Sequence, residues 1–130
     1  MEILIKRISD SAKLPVYGRE AGPGIDLFAS EEVTVEPGKH AVVSTGVALA
    51  MPVGYVGFVW NQQGVTTGQA IKVTTGVIDS GNREEIKIEL KNIGNEAKTF
   101  RTGDKVAQLL IQQIHHASLI EAAEFGGDDD

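Results

Sequence analysis

The chain of 130 residues is long enough to bury one core without staples, and its lack of cysteine excludes disulfides, thiolate metal sites and a Cys nucleophile. Its 18 acidic and 12 basic side chains give a net charge of −6, which argues against nucleic acid as a partner because counterion release needs clustered Lys and Arg. No apolar run approaches the ~18 residues of a membrane span, and residues 1–7 read as a charged strand rather than a signal, so the expected setting is soluble and cytoplasmic with no membrane partner.

Fifteen glycines and many Val, Ile and Thr residues predict short strands and tight turns. A first strand is predicted over 2–8, followed by Ser9-Asp10-Ser11 and a turn at Pro15. Residues 18–24 read as loop and 25–29 return to strand alternation. A short strand at 33–35 ends at Glu36-Pro37-Gly38, where Pro presets position i+1 of a turn. Strands over 41–44, 47–51 and 55–60 follow, separated by Thr45-Gly46 and Pro52-Val53-Gly54. Strands spaced by about eight residues with such punctuation predict an all-β sandwich or barrel. Up to this point the one helical signal is a turn at 65–67.

The central stretch is Thr75-Gly76-Val77-Ile78-Asp79-Ser80-Gly81-Asn82-Arg83-Glu84-Glu85-Ile86. Two β-branched residues run into Asp79, a Ser-Gly-Asn cluster turns the chain, and residues 86–90 alternate apolar and polar, which predicts a β-hairpin with Asp79 near its tip. A carboxylate fixed by backbone on both sides suits a general base acting on water. The plainer alternative is that Asp79 accepts a backbone N–H and caps the turn. Beyond it, Asn92-Ile93-Gly94-Asn95-Glu96 and Arg101-Thr102-Gly103-Asp104 read as turns around a short strand at 99–100. Residues 105–114 form a long strand with apolar residues on both faces, which wants protein on both sides and points to a second subunit. Residues 118–125 read as a frayed strand or helical turn, and the acidic end as a flexible tail.

Gly24-Ile25-Asp26-Leu27 followed by Ala29, then Gly76-Val77-Ile78-Asp79-Ser80, then Gly103-Asp104-Lys105-Val106-Ala107-Gln108-Leu109-Leu110 resemble, in order and spacing, motifs one, three and four of the trimeric dUTPases. The resemblance covers roughly residues 1–119. It implies a jelly-roll β-barrel domain over 1–119, with 120–130 as a flexible acidic tail, and assembly as a homotrimer with active sites at subunit boundaries. The implied reaction is Mg²⁺-dependent hydrolysis of dUTP to dUMP and pyrophosphate. Asp79 then matches the carboxylate that activates water, Asp26 the motif-one residue that reaches the metal through water, and Gln108 the motif-four residue at the phosphates. Backbone groups of the Gly76 to Arg83 hairpin would read the uracil edge, with Gly76, Val77, Ile78 and Asn82 as the substrate-binding positions.

Three places depart from the family pattern. Motif two, which carries a cation and a Ser, aligns on Asn61-Gln62-Gln63-Gly64, leaving Gln62, Gln63 and Gly64 to hold phosphate with amides alone. An amide lacks the charge-assisted strength of Arg. The motif-three Tyr is Asn82, and the glycine after its neighbour is Glu84. The C-terminal lid is reduced to Phe125-Gly126 ahead of Asp128-Asp129-Asp130. These departures imply weakened or lost catalysis. The alternative is a non-catalytic trimeric scaffold or assembly protein, natural or engineered, that contacts a protein partner through the neutral surface from Asn61 to Ala70; dCTP deamination is a third reading. From His40 to Ile71 there are 32 residues without Asp, Glu, Lys or Arg, a composition that suits protein contact better than phosphate.

Other residues carry less. Neighbours in a strand face opposite sides, so His115-His116 makes a poor chelate. Trp60 reads as a core or interface anchor. Lys72 and Arg83 flank the central stretch and are the candidate replacement cations, against ordinary surface charge. Ser80 lacks a nucleophile elbow.

Overall fold

The computed structural model describes residues 1–18, 22–61 and 70–126, and these contain strands and turns without a helix. The helical turn expected at 65–67 lies outside the described residues. The described residues form eleven strands: β1 (Leu4–Arg7), β2 (Val16–Tyr17), β3 (Ile25–Phe28), β4 (Val33–Val35), β5 (His40–Ala50), β6 (Tyr55–Trp60), β7 (Ile71–Val73), β8 (Val77–Asp79), β9 (Glu85–Asn92), β10 (Lys98–Phe100) and β11 (Lys105–Gln113). They form one sheet in the order β1-β5-β9-β7, a second in the order β2-β3-β11-β6-β8, and a small β10-β4 pair. Every pairing is antiparallel.

One core joins the two large sheets. Val43, Ile88 and Leu90 come to it from the first, Leu27, Val59, Ile78 and Leu109 from the second, with Val35 and Phe100 from the small pair. β9 shows how the sequence directs this: Ile86, Ile88 and Leu90 are buried while Lys87 and Glu89 are exposed, the period of two that leaves one face for water. The first strand, in contrast, is exposed along its whole length, including Leu4 and Ile5.

Three sequence expectations are corrected. Residues 41–44 and 47–51 belong to a single strand, β5, and Thr45-Gly46 is a bulge rather than a turn. The register with β9 passes from Ser44↔Lys87 to Ala48↔Glu85, so three residues on β5 face one on β9. Gly46 takes φ 73, its N–H donates to Glu85 Oε2 at 2.8 Å, and the Thr45 hydroxyl donates to the Ile86 carbonyl at 2.6 Å. The Gly46 carbonyl also accepts the Ile8 N–H at 2.7 Å, which ties the end of β1 to the bulge. A positive-φ glycine serves a bulge as well as a turn, so sequence does not separate them.

The second correction concerns the central stretch, which is not a hairpin. β8 pairs with β6 in one sheet and β9 pairs with β5 and β7 in the other, so residues 80–84 carry the chain from sheet to sheet. The turn itself is real: the Asn82 N–H donates to the Asp79 carbonyl at 3.0 Å. Ile78 and Ile86 are buried in the same core from opposite sheets, which explains why both flanks look like strands of one ribbon. Residues 118–125 carry neither the strand nor the helical turn expected there, and Leu119 and Phe125 are each 95% exposed.

Candidate functional site

Asp26 is the starting point because it is a carboxylate only 2% exposed. It follows Ile25 on β3 and alternates with Leu27, which enters the core, so Asp26 faces the other side of the sheet and is covered there. On that side the Lys105 ammonium lies 3.1 Å from Asp26 Oδ2, and the Gln108 amide Nε2 donates to Oδ1 at 3.5 Å. Lys105 and Gln108 are three positions apart on β11, and in a regular strand they would face opposite sides. The register with β3 shifts between Lys105 and Ala107, and this bulge brings both side chains to the one carboxylate. Lys105 was not among the residues singled out from sequence; a cation three positions from the motif-four Gln was the available signal, and the bulge that unites them was not.

Two glycines close the cluster. A β-carbon on Gly18 would lie 2.3 Å from Asp26 Oδ2, and one on Gly24 would lie 2.8 Å from the Gln108 amide carbon. The Gly18 N–H donates to the Gly24 carbonyl at 3.3 Å, so the backbone itself approaches both side chains.

Gln108 stands opposite Trp60 in the β11 and β6 register, and both line an open groove of about 490 Å³ with Gly24, Asn61, Lys72 and Leu110. Trp60 is half exposed here, a wall of the groove rather than a core residue. The Asn61 side-chain oxygen accepts the Val73 N–H at 2.8 Å and fastens the end of β6 to β7, bridging the two sheets beside the groove. The Asn61 amide group is thereby left as the polar donor. Gln62, Gln63 and Gly64 lie outside the described residues, as does most of the 61–70 surface.

Asp79 is elsewhere. It ends β8 opposite Val56, whereas Gln108 is opposite Trp60, so four residues of β6 separate the two positions, about 13 Å along the strand at ~3.3 Å per residue. Its side chain is exposed and makes no hydrogen bond among the described residues; the backbone carbonyl, not the carboxylate, caps the turn. Among the described residues β8 is the last strand of its sheet, so Val77 and Ile78 have one backbone edge paired to β6 and no described strand on the other. The Gly76 carbonyl is used by the Val59 N–H at 3.0 Å. Asn82 spends its side-chain oxygen on the Glu84 N–H at 2.7 Å. Arg83 is turned back onto the carbonyls of Ser80 and Asn82.

A divalent cation does not fit this arrangement as a protein-caged ion. Among the described residues no three His, Asp or Glu side chains gather, and both Asp26 oxygens already accept from Lys105 and Gln108.

Residues 10–127 match the family model described as dUTPase. The deoxyuridine 5'-triphosphate nucleotidohydrolase of Mycobacterium tuberculosis is 38% identical over 126 residues, covering 95% of this chain and 82% of that protein. The enzyme of the same name from Clostridium kluyveri is 36% identical, covering 95% and 88%. Among solved structures, the dUTPase of phage phi11 of S. aureus superposes with a TM-score of 0.87 at 27% identity, covering 97% of this chain and 99% of that one. The Staphylococcus bacteriophage 80alpha dUTPase, solved with dUPNHPP, gives 0.87 at 26% identity, covering 97% and 90%. Phage dUTPases of this kind are described as controlling transfer of virulence genes, and a mutant of the phi11 protein as coordinating a structural Mg(II) ion.

Proposed function

The chain belongs to the dUTPase family, with the jelly-roll β-barrel of its structural neighbours, and from that premise we propose that it forms a homotrimer that binds dUTP and hydrolyses it weakly to dUMP and pyrophosphate. The observation that carries the reading is the division of the site. Gln108, with the buried Asp26 behind it, lies at one end of β6 and Asp79 is exposed at the other, so one chain carries two separated half-sites. A second copy would bring the complementary halves together. The outer face of the second sheet supports such packing, because Phe58 and Val77 are paired across β6 and β8 and are both exposed.

In the completed site the open edge of β8 offers fixed backbone donors and acceptors to a uracil ring at Gly76, Val77 and Ile78. The triphosphate would lie against Gln108 and the Asn61-Gln62-Gln63-Gly64 segment. Asp79 accepts a proton from water as the water oxygen attacks phosphorus. The bond to pyrophosphate breaks and the electron pair leaves with it; such assistance is typically worth about 10²–10⁴-fold. Magnesium is proposed to accompany the triphosphate, since Mg²⁺ is ordinarily held by substrate phosphates and retained water. The weakness follows from the neutral side chains at positions 61–63, each making a contact about half as strong as a charge-assisted one at the same place, a loss that one cation elsewhere offsets only in part.

The test is pyrophosphate release from dUTP with Mg²⁺, against Asp79→Asn. Slow release abolished by the substitution is the expected result. A turnover near the usual enzyme median of about 10 s⁻¹ would overturn the claim of weakness, and no nucleotide binding at all would overturn the whole reading. The second reading, a protein partner on the neutral surface from Asn61 to Ala70, is supported by the charge-free run from His40 to Ile71 and by the regulatory role described for the phage relatives. Under it, substitutions of Gln62 and Gln63 would change association with that partner while dUTP hydrolysis stayed unmeasurable.

A further inference from the structure

The groove beside Gln108 must neutralise about four negative charges if it takes a nucleoside triphosphate, yet the described cations near the site are already committed. Lys105 is 3.1 Å from the Asp26 carboxylate, and Arg83 is folded onto the carbonyls of its own turn. Lys72 differs from both. It lines the groove with Gly24, Trp60, Asn61 and Gln108, it is exposed, and it forms no ion pair among the described residues.

Its position is also unfavourable for the sheet alone. On β7 it stands directly opposite Lys91 of β9, and like charges in opposed positions destabilise an antiparallel pair. A local rule broken beside an open groove is the pattern expected where a residue serves a ligand. Among the described residues β7 is the last strand of its sheet, and the exposed, flexible Lys72 side chain lines the groove beside it.

We propose that Lys72 is the phosphate-binding cation of this site, supplying from β7 the charge that the Asn61-Gln62-Gln63-Gly64 segment lacks. The assignment rests on the dUTP reading and deepens it. Lys72 then contributes to affinity for the polyphosphate and leaves the base and sugar contacts untouched.

Binding of the imido-bridged dUTP analogue and of deoxyuridine, followed by NMR titration with Mg²⁺ present, separates the two claims. Lys72→Gln should weaken the triphosphate analogue by about 10- to 100-fold and leave deoxyuridine within about twofold, while Lys72→Arg retains most of the affinity. Lys91→Gln, which removes the opposed charge outside the groove, should leave both ligands within about twofold and so report the background of a nearby charge change. Unchanged analogue binding by Lys72→Gln, or equal losses for both ligands, would overturn the role of Lys72 while the dUTP reading stood. Failure of the unsubstituted protein to bind either ligand would overturn the dUTP reading and the lysine assignment together.

Discussion

Gly24 and Gln108 are in contact so close that a β-carbon on the glycine would fall 2.8 Å from the glutamine amide carbon and its Nε2. The glutamine end is flexible, so Gly24→Ala should fold normally and turn the Gln108 amide out of the groove. Misplacing one phosphate contact by about 1 Å is expected to lower kcat/KM for dUTP by roughly 10- to 100-fold. Unchanged thermal unfolding together with reduced pyrophosphate release is the expected pair of results; full activity would show that Gln108 does not depend on this contact.

The Lys105 and Asp26 pair makes a separate prediction about stability. Lys105→Met leaves a buried carboxylate with Gln108 as its remaining described side-chain partner, and Lys105→Arg restores the charge. The lysine side chain is 44% exposed, which reduces the value of the pair, so the expected loss is about 1–3 kcal/mol for the Met variant and a smaller one for Arg. Urea unfolding at one fixed protein concentration measures both, because any assembly makes apparent stability depend on concentration.

Most strands were legible because their residues alternate. Ile86, Ile88 and Leu90 announce β9 by spacing alone, and Val33, Thr34 and Val35 announce β4. Partners were not legible. Asp79 and Glu85 sit at the ends of two such runs joined by turn residues, a pattern that a hairpin and a sheet-to-sheet crossing share, and which strand lies alongside is decided by the core. The candidate site divides the same way. Asp26, Asp79 and Gln108 could be named from their motifs, but Lys105 could not be joined to them, since its face depends on a bulge that sequence does not mark.

Gly46 and Gly38 form a matched pair for testing the β5 bulge. Both have positive φ, 73° and 75°, but a β-carbon on Gly38 meets nothing within 4 Å, whereas one on Gly46 would lie 2.7 Å from Ala12 Cβ and 3.1 Å from Ser9 and Ser30 Cβ. Gly38→Ala should therefore cost only the left-handed backbone, about 1–2 kcal/mol. Gly46→Ala adds overpacking and should cost about 2–4 kcal/mol. Comparable losses in urea unfolding would mean that the loop of residues 9–12 moves freely away from β5.

The separation of Asp79 from Gln108 along β6 leads to the most demanding prediction. If each active site takes its general base from one chain and its phosphate contacts from another, Asp79→Asn and Gln108→Ala disable different halves, and each variant alone is poorly active at every site. Unfolding the two together and refolding them as mixed trimers creates boundaries at which an intact Asp79 meets an intact Gln108. In a trimer with equivalent head-to-tail contacts and random mixing, about a quarter of the boundaries have this composition, so about a quarter of the parental activity should return. Pyrophosphate release before and after mixing provides the measurement, and variants refolded separately and then combined without exchange provide the baseline. Recovery above that baseline requires sites shared between chains. Activity that stays at the sum of the separate variants would place Asp79 and Gln108 in the same chain's site, and the distance along β6 would then have to be closed by a movement of β8.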